Sequence, residues 1–286
     1  MPSYDEIVKD VAETLVKAGS SFGPDQIEVY EKAIASETDA SAAWVLKTIL
    51  ENANVGKAER LPLCDDTGIP HLFLQVGDEA SIPEGFFSAV EEGVRQGLRD
   101  LPGRPMAVKG NDQERLAQSA GLYTDPACLA PAPLQIRHVP GRDIKLTVLM
   151  YGGGPEIRGK TLRVFHRHSV DVVKNEMIEW GIESAKLLGC LPGVLCFGIG
   201  RSNLEAASLS LEAMATGDLS KPSQFEQEIT DGVNASGIGA MGLGGTHTVL
   251  GSFVKIGPQR ASGVRIVSLR MGCCFDPRRA SVTWTN

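Results

Sequence analysis

Apolar residues recur at helical spacing near the start of the chain. Ser3 is followed three residues later by Glu6, which is the pattern of a capping box at a helix N-terminus. The apolar positions after it fall on one face of a helix: Ile7, Val11 and Leu15. A second helix start lies at Pro24, and a third apolar stripe runs along residues 42–50. The pattern therefore predicts a helical N-terminal part over about residues 1–60.

Strand-like and helix-like segments alternate in the remainder of the chain. Alternating apolar positions predict strands at residues 71–76, 143–150, 248–256 and 264–271. Helical spacing predicts helices at residues 83–100, 169–188, 203–215 and 222–232. Residues 102–142 are rich in Pro, Gly and Asn and are expected to form long loops. We predict one mixed α/β (α+β) domain over residues 1–286, in which a mixed β-sheet flanked by helices follows the helical part.

The composition is that of a folded protein, and the charge limits its partners. The 286 residues include 42% hydrophobic residues, which excludes a wholly disordered chain. The formal charge is −7 and no basic block is present, so neither nucleic acid nor an anionic membrane is an expected partner. The N-terminus has no basic and apolar leader, and no window of about 18 residues is continuously apolar. We therefore expect a cytoplasmic protein with reduced thiols.

Three of the six cysteines lie in turn-rich, polar segments. Cys64 precedes an Asp-Asp-Thr-Gly run, Cys190 follows a predicted helix, and Cys274 follows a predicted strand. Such positions favour exposed thiols, and thiolates from separate loops can bind one metal centre. Their wide spacing matches neither a local zinc motif nor a ferredoxin-type run. From spacing alone a buried structural role is favoured over a metal site, and Cys273 competes with Cys274 for the third position.

The segments around these cysteines resemble those of a known family. Residues 63–68, Leu-Cys-Asp-Asp-Thr-Gly, resemble the Cys-Gln-Asp-Thr-Gly motif of class I fumarases and L(+)-tartrate dehydratases. Residues 188–200 resemble the second motif of that family, Gly-Cys-Pro-Pro followed by Gly-Ile-Gly-Gly, and residues 274–279 resemble the third, Cys-Trp-Ala-x-Arg-Arg. Three further matches lie between these motifs in the family order: Arg104-Pro105, Gly152–Gly154 and the Gly-rich residues 242–248. The resemblance covers nearly the whole chain and is to the alpha-type, N-terminal catalytic half of these enzymes.

The resemblance implies an iron–sulfur hydro-lyase, which adds water to or removes it from a small hydroxy-carboxylic acid such as fumarate/malate or tartrate. In such enzymes three cysteines hold a 4Fe–4S cluster, and one iron stays open for the substrate. The cysteines that match here are Cys64, Cys190 and Cys274. In relatives a Lys and other key groups come from a second domain or a beta subunit. The resemblance therefore implies a beta-type partner subunit, or else a homo-oligomer.

The resemblance also assigns residues to the substrate. Hydration of a double bond beside a carboxylate needs an anion-binding group, a Lewis acid and a proton-transferring group. Asp66 matches the family Asp beside the cluster and is the candidate catalytic residue, and Arg104 matches the carboxylate-binding Arg. Backbone N–H groups that an anion can approach closely belong to Gly152, Gly153 and Gly154. His247 either contacts the substrate or is an ordinary surface or capping residue.

Departures from the family pattern keep other hypotheses open. Asp65 is assigned to substrate binding but stands where Gln is usual, and its charge disfavours a dicarboxylate unless it is protonated or turned away. Tyr151 stands where Lys is expected, and Gln259 lies near a functional His of relatives. These changes also fit a catalytically silent paralogue that acts as a binding or structural subunit. A zinc protein that uses the same cysteines is the third hypothesis.

Overall fold

The computed structural model describes residues 2–285, and residues 1 and 286, the two ends of the predicted domain, lie outside the described residues. The α-helices in chain order are α1 (Tyr4–Ser20), α2 (Pro24–Ser36), α3 (Ala40–Glu59), α4 (Phe86–Asp100), α5 (Asp112–Ala117), α6 (Gly153–Glu156), α7 (Val170–Leu188), α8 (Asn203–Thr216) and α9 (Gln224–Asn234). The strands are β1 (Ile69–Gly77), β2 (Gln135–Val139), β3 (Ile144–Tyr151), β4 (Lys160–Phe165), β5 (Gly193–Gly200), β6 (Val249–Ile256), β7 (Val264–Gly272) and β8 (Arg279–Trp284). These elements fold into two compact units.

The first unit comprises Met1–Ser21, Ala53–Gly152 and Arg278–Asn286. Its four-stranded sheet has the order β2-β1-β3-β8. Strand β1 pairs parallel with β2 and antiparallel with β3, and β3 pairs antiparallel with β8. Helices α1 and α4 pack with this sheet around a buried core that includes Val11, Leu15, Leu72, Val94, Leu98 and Val148.

Two glycines one turn apart bring α4 close to α1 in the first unit. A Cβ atom on Gly93 would lie 2.7 Å from the Val8 carbonyl oxygen. A Cβ atom on Gly97 would lie 3.0 Å from the Ala12 carbonyl oxygen. Since both neighbours are backbone atoms of another helix, each position accommodates only a hydrogen atom.

The second unit comprises Phe22–Asn52 and Gly153–Pro277. Its four-stranded sheet has the order β4-β7-β5-β6. Strand β7 is antiparallel to both of its neighbours, whereas β5 and β6 are parallel. The buried core draws on this sheet and on α7 and α9, and includes Met177, Trp180, Leu195, Phe197, Ile229 and Val267. Strand β5 is buried along its whole length, because α8 also packs against it.

The mixed α/β class is confirmed, as are the three helices near the N-terminus. Ser3 and Glu6 form the predicted capping box, in which the Glu6 N–H donates to Ser3 Oγ at 3.3 Å and the Ser3 N–H donates to Glu6 Oε2 at 2.7 Å. None of the helices in the described part of the chain is both long and apolar enough to cross a membrane. That the two units together make one catalytic domain stays a prediction.

Some elements differ from the sequence-based prediction. The strands lie in two sheets, and four of them, β2, β4, β5 and β8, were not predicted. Strand β5 shows no alternation of apolar and polar residues, because it is buried on both faces. The predicted long loops at residues 102–142 contain α5 and β2. These two elements are short and mostly exposed, so an apolar pattern does not mark them.

Replacement of Gly198 by alanine tests the contact between α8 and β5. A Cβ atom at Gly198 would overlap the Ala206 carbonyl oxygen and the Ser210 nitrogen, so helix or strand must shift. We expect Gly198→Ala to lower the free energy of unfolding by about 3 kcal/mol, measured by urea denaturation followed by circular dichroism. Gly263→Ala is the matched control, because no atom lies within 4 Å of its Cβ position. Equal midpoints for the two variants would contradict this packing.

Candidate functional site

The first cysteine loop lies in the first unit, between α3 and β1. The Leu63 N–H donates to the Gly19 carbonyl oxygen at 3.0 Å, which anchors the loop beside the end of α1. Cys64 follows and is half-buried. The buried Thr67 hydroxyl accepts a hydrogen bond from the Arg104 N–H at 2.9 Å. The fold therefore brings the predicted carboxylate-binding Arg104 to the loop that carries Cys64.

A buried arginine organises this loop. Arg278 is 2% exposed, and its Nη1 donates to the carbonyl oxygens of Asp66 at 2.6 Å and Thr67 at 3.2 Å. The Arg278 carbonyl oxygen accepts the Met150 N–H at 2.9 Å, which ties the residue to β3. Sequence reasoning did not find this role, because burial of a cation cannot be read from an Arg-Arg pair.

The glycine triplet is not uniform. A Cβ atom on Gly152 would lie 2.5 Å from Asp66 Oδ2 and 3.0 Å from Arg278 Nη2. The carboxylate of the candidate catalytic residue and a buried guanidinium thus reach the same backbone position, where only a hydrogen atom fits. Gly153 and Gly154 begin α6 in the second unit, and a Cβ atom on either would meet no atom within 4 Å.

Two residues predicted to bind substrate pair with each other. Arg104 Nη1 lies 2.7 Å from Asp65 Oδ2, and the two side chains are 59% and 84% exposed. An exposed ion pair of this kind contributes about 0–1 kcal/mol to stability and is screened by salt. The Asp65 carboxylate therefore pairs with the guanidinium that the resemblance assigns to a substrate carboxylate.

The other two predicted cluster ligands meet within the second unit. The Cys274 N–H donates to the Cys190 carbonyl oxygen at 3.0 Å, so the loops after α7 and β7 are joined by their backbones. Cys190 is exposed, as expected, whereas Cys274 is 1% exposed. The expectation of an exposed thiol is wrong for Cys274, because side chains of α2 pack on its loop.

Helix α2 holds the Cys274 loop through two buried side chains. The Tyr30 hydroxyl donates to the Cys274 carbonyl oxygen at 2.5 Å, and Gln26 Nε2 donates to the Phe275 carbonyl oxygen at 3.2 Å. Burial raises the pKa of Tyr30 well above its usual value, and the thiols and acidic side chain of the loop raise it further. The hydroxyl therefore remains a donor at neutral pH. Sequence patterns give no sign of this contact, which joins residues 244 positions apart.

The Gly-rich loop is joined to the Cys190 loop in the same unit. The Met241 N–H donates to the Leu191 carbonyl oxygen at 3.2 Å. At the other end of this loop, His247 Nδ1 lies 3.0 Å from Glu37 Oε2, and the histidine side chain is 20% exposed. Two of the cysteine loops and the loop of His247 thus form one connected part of the second unit. Glu37 was not among the predicted site residues.

The predicted site residues were also compared with possible metal-binding groups and with two cavities of the structure. Within each unit, the described residues include no group of three or more His, Cys, Asp or Glu side chains placed to hold a metal ion. A cavity of about 540 Å³ lies between α4 and residues 125–134 of the first unit. A second, of about 360 Å³, lies beside the start of α7 in the second unit. None of the residues that line these two cavities is a predicted site residue.

Fold and loops together define a mixed α/β protein whose candidate site is carried by loops with cysteine, carboxylate and arginine side chains. A family described as Fumarate hydratase (Fumerase) matches residues 8–283, and the chain belongs to this family. It is 27% identical over 277 residues to a Methanocaldococcus jannaschii protein that carries the provisional name of an L(+)-tartrate dehydratase alpha subunit, covering 94% of this chain and 93% of that one. L(+)-tartrate dehydratase alpha subunits of Escherichia coli and Shigella sonnei are each 22% identical over 276 residues, covering 95% of this chain and 88% of theirs.

Adjacent glycines give a matched test of the first-unit arrangement. We expect Gly152→Ala to lower the free energy of unfolding by about 1–3 kcal/mol, because its Cβ atom would displace Asp66 or Arg278. Gly153→Ala is the control and should unfold like the wild-type protein, since its Cβ position is open. Thermal unfolding of the two variants side by side measures the difference. If Gly153→Ala is the more damaging change, the assignment of the close approach to Gly152 is wrong.

Proposed function

We propose that this protein is a hydro-lyase that adds water to, or removes it from, a small hydroxy-carboxylic acid such as fumarate/malate or tartrate. Membership of the fumarate hydratase family supports this reaction class, as does similarity to alpha subunits named for L(+)-tartrate dehydratase. The observation that carries the proposal is the hydrogen bond from the Cys274 N–H to the Cys190 carbonyl oxygen at 3.0 Å. It joins two loops that the resemblance assigns to one cofactor.

The cysteines suit an iron–sulfur cofactor. We propose that Cys64, Cys190 and Cys274 hold a 4Fe–4S cluster, since cysteine thiolates are the usual ligands of such clusters. When bound, the cluster would supply an open iron as a Lewis acid toward the substrate hydroxyl. The Cys273 N–H is directed to Asp276 Oδ2 at 2.9 Å within its own turn, whereas the Cys274 N–H bonds to the Cys190 loop. This difference supports Cys274 over Cys273 as the third ligand.

Asp66 is the proposed proton-transferring residue. Removal of water breaks a C–H bond beside a carboxylate, and the electron pair of that bond forms the double bond as hydroxide leaves. Asp66 Oδ2 accepts the proton, and in the hydration direction it returns the proton to the same carbon. The buried Arg278 guanidinium, which reaches the same side of Gly152, supplies positive charge near the carboxylate.

The remaining residues of the proposed site bind the substrate or limit its access to Arg104. Arg104 binds a substrate carboxylate through its guanidinium, which suits that group because of its bidentate geometry. Asp65 competes with the substrate for the same guanidinium, from 2.7 Å away. The substrate anion also accepts hydrogen bonds from the backbone N–H groups of Gly152, Gly153 and Gly154. His247 contributes its imidazole from the second unit.

The proposed assembly includes a further chain. The named relatives are alpha subunits, which supports a beta-type partner subunit, and a homo-oligomer is the alternative assembly. We place the protein in the cytoplasm and treat residues 1–286 as one catalytic domain. A catalytically silent binding subunit is the second candidate, because the Asp65 carboxylate already occupies the guanidinium of Arg104.

Cysteine replacement combined with metal analysis tests the proposed cofactor. After anaerobic purification we expect about four iron and about four acid-labile sulfide per chain. Changing Cys64, Cys190 or Cys274 singly to serine should lower both contents sharply, because each change removes one ligand. Cys128→Ser is the matched control, since Cys128 is exposed and lies outside the proposed ligand set. Full iron retention in all three single variants, or bound zinc in place of iron, would contradict the cluster.

Turnover separates the two candidate functions. Dehydration of malate and of tartrate is measured with the chain alone and together with a beta-type subunit. We expect Asp66→Asn to abolish turnover while iron content stays unchanged, because the carboxylate transfers the proton. A loaded protein that converts neither acid, in either assembly, would favour the silent subunit.

Replacement of Asp65 by the glutamine usual in the family tests the competition for Arg104. Asp65→Gln removes the negative charge and frees the guanidinium. We expect the KM for a dicarboxylate to fall by about two- to fivefold with little change in kcat, and the difference to shrink at high salt. Asp112→Asn is the control, because Asp112 pairs with Arg115 in a separate exposed ion pair. An unchanged KM in Asp65→Gln would show that the pair does not compete with substrate.

A further inference from the structure

Five hydrogen-bond donors converge on one buried carboxylate in the second unit. Glu37 directly follows α2, and its side chain is 0% exposed. From its own segment it accepts the N–H groups of Thr38 at 2.9 Å and Asp39 at 3.0 Å. From the Gly-rich loop it accepts the Thr246 N–H at 2.9 Å and the Thr246 hydroxyl at 3.0 Å. The fifth donor is His247, whose Nδ1 lies 3.0 Å away.

The charge of Glu37 sets the tautomer of the histidine. Burial raises the pKa of Glu37, but the hydrogen bonds from Asp39, His247 and Thr246 together outweigh it and hold the pKa at about 2. At neutral pH the carboxylate is therefore ionised and can only accept hydrogen bonds. The Thr246 hydroxyl lies 2.9 Å from Nδ1 but donates its hydrogen bond to the Glu37 carboxylate. Nδ1 of His247 must then carry a proton, so the tautomer that fits these contacts is the one with a lone pair on Nε2.

The second ring nitrogen has only a long contact among the described residues. His247 Nε2 lies 3.4 Å from Ser36 Oγ. The Ser36 hydroxyl has a shorter partner, because it donates to the Lys32 carbonyl oxygen at 2.9 Å. The His247 side chain is also 20% exposed, so a small molecule can reach the ring. The lone pair on Nε2 is thus available as an acceptor.

The backbone of the Gly-rich loop is adapted to the buried carboxylate. Gly245 has φ of +100°, and a Cβ atom there would lie 2.9 Å from both carboxylate oxygens of Glu37. Close approach and left-handed backbone both require glycine at this position. An anchor for the loop backbone would need only the N–H of Thr246. The additional bond to the imidazole orients a side chain, as carboxylates do for functional histidines.

We propose that Glu37 is a positioning residue that holds His247 as the Nδ1–H tautomer, so that Nε2 accepts a hydrogen bond from the hydroxyl group of a hydroxy-acid substrate. This inference rests on the proposed hydro-lyase function. It predicts that Glu37 affects the binding of the hydroxy acid and not that of the unsaturated acid, because only the hydroxy acid offers a hydrogen-bond donor to Nε2. The carboxylate itself does not contact substrate.

The tautomer is measured directly by NMR on protein labelled with ¹⁵N-histidine. The chain contains five histidines, and His247→Asn identifies the signals of His247. We expect wild-type His247 to show a protonated Nδ1 and an unprotonated Nε2. In Glu37→Gln the amide can donate as well as accept, so both tautomers should appear. An Nε2–H tautomer in the wild-type protein overturns the proposal, and this holds even if Glu37→Gln fails to fold.

Steady-state kinetics test the consequence for substrate. In Glu37→Gln the KM for the hydroxy acid should rise by about five- to tenfold, the effect of one hydrogen bond, while the KM for the unsaturated acid stays within about twofold. Glu31→Gln is the matched control, because Glu31 is an exposed residue of α2, the helix that Glu37 follows, and the charge change is equal. Equal effects on both acids would reduce Glu37 to a loop anchor and overturn the proposal.

The two measurements keep this inference separate from the proposed function. The tautomer is read without substrate, so its result stands whether or not the chain shows hydro-lyase activity. Absence of turnover with an intact Nδ1–H tautomer would refute the hydro-lyase and leave the Glu37–His247 pair established. Turnover with the opposite tautomer would refute only the role of Glu37.

Discussion

The first unit depends on one buried cation. Taking a guanidinium out of water costs several kcal/mol unless hydrogen bonds and opposite charge compensate. Arg278 finds that compensation in the carbonyl oxygens of Asp66 and Thr67, at 2.6 Å and 3.2 Å. The shape of the Cys64 loop is therefore set from the far end of the chain. The direction of the Asp66 carboxylate and the need for glycine at position 152 follow from the same contact.

Helix α2 has the corresponding role in the second unit. Gln26 and Tyr30, four residues apart, hold the loop of Cys274, and Glu37, seven residues further on, holds the loop of His247. Gln26 and Tyr30 therefore lie on one side of α2, and Glu37 directly follows its last residue, Ser36. The helix and the residue at its end support both a proposed cluster ligand and a proposed substrate-binding residue. Their relative placement depends on the integrity of one short helix.

Local sequence patterns predicted what local interactions determine. The capping box at Ser3, the helix start at Pro24 and the amphipathic helices follow from neighbouring residues, and the motif order gave the candidate cysteines. Strand β5 was not predicted, because burial on both faces removes the alternation of apolar and polar residues. The roles of Arg278 and Glu37 were not predicted, because their partners are 212 and 210 residues away in the sequence. No periodicity encodes such contacts.

The unequal glycines of the triplet also limit how the sequence can diverge. Gly153 and Gly154 have open space where a side chain would begin, so drift at these positions meets no steric barrier. At Gly152 a carboxylate and a guanidinium both approach the position where a side chain would begin, so a larger residue there demands a simultaneous change in Asp66 or Arg278. Among descendants of this chain, position 152 should covary with positions 66 and 278, whereas positions 153 and 154 should vary independently of them.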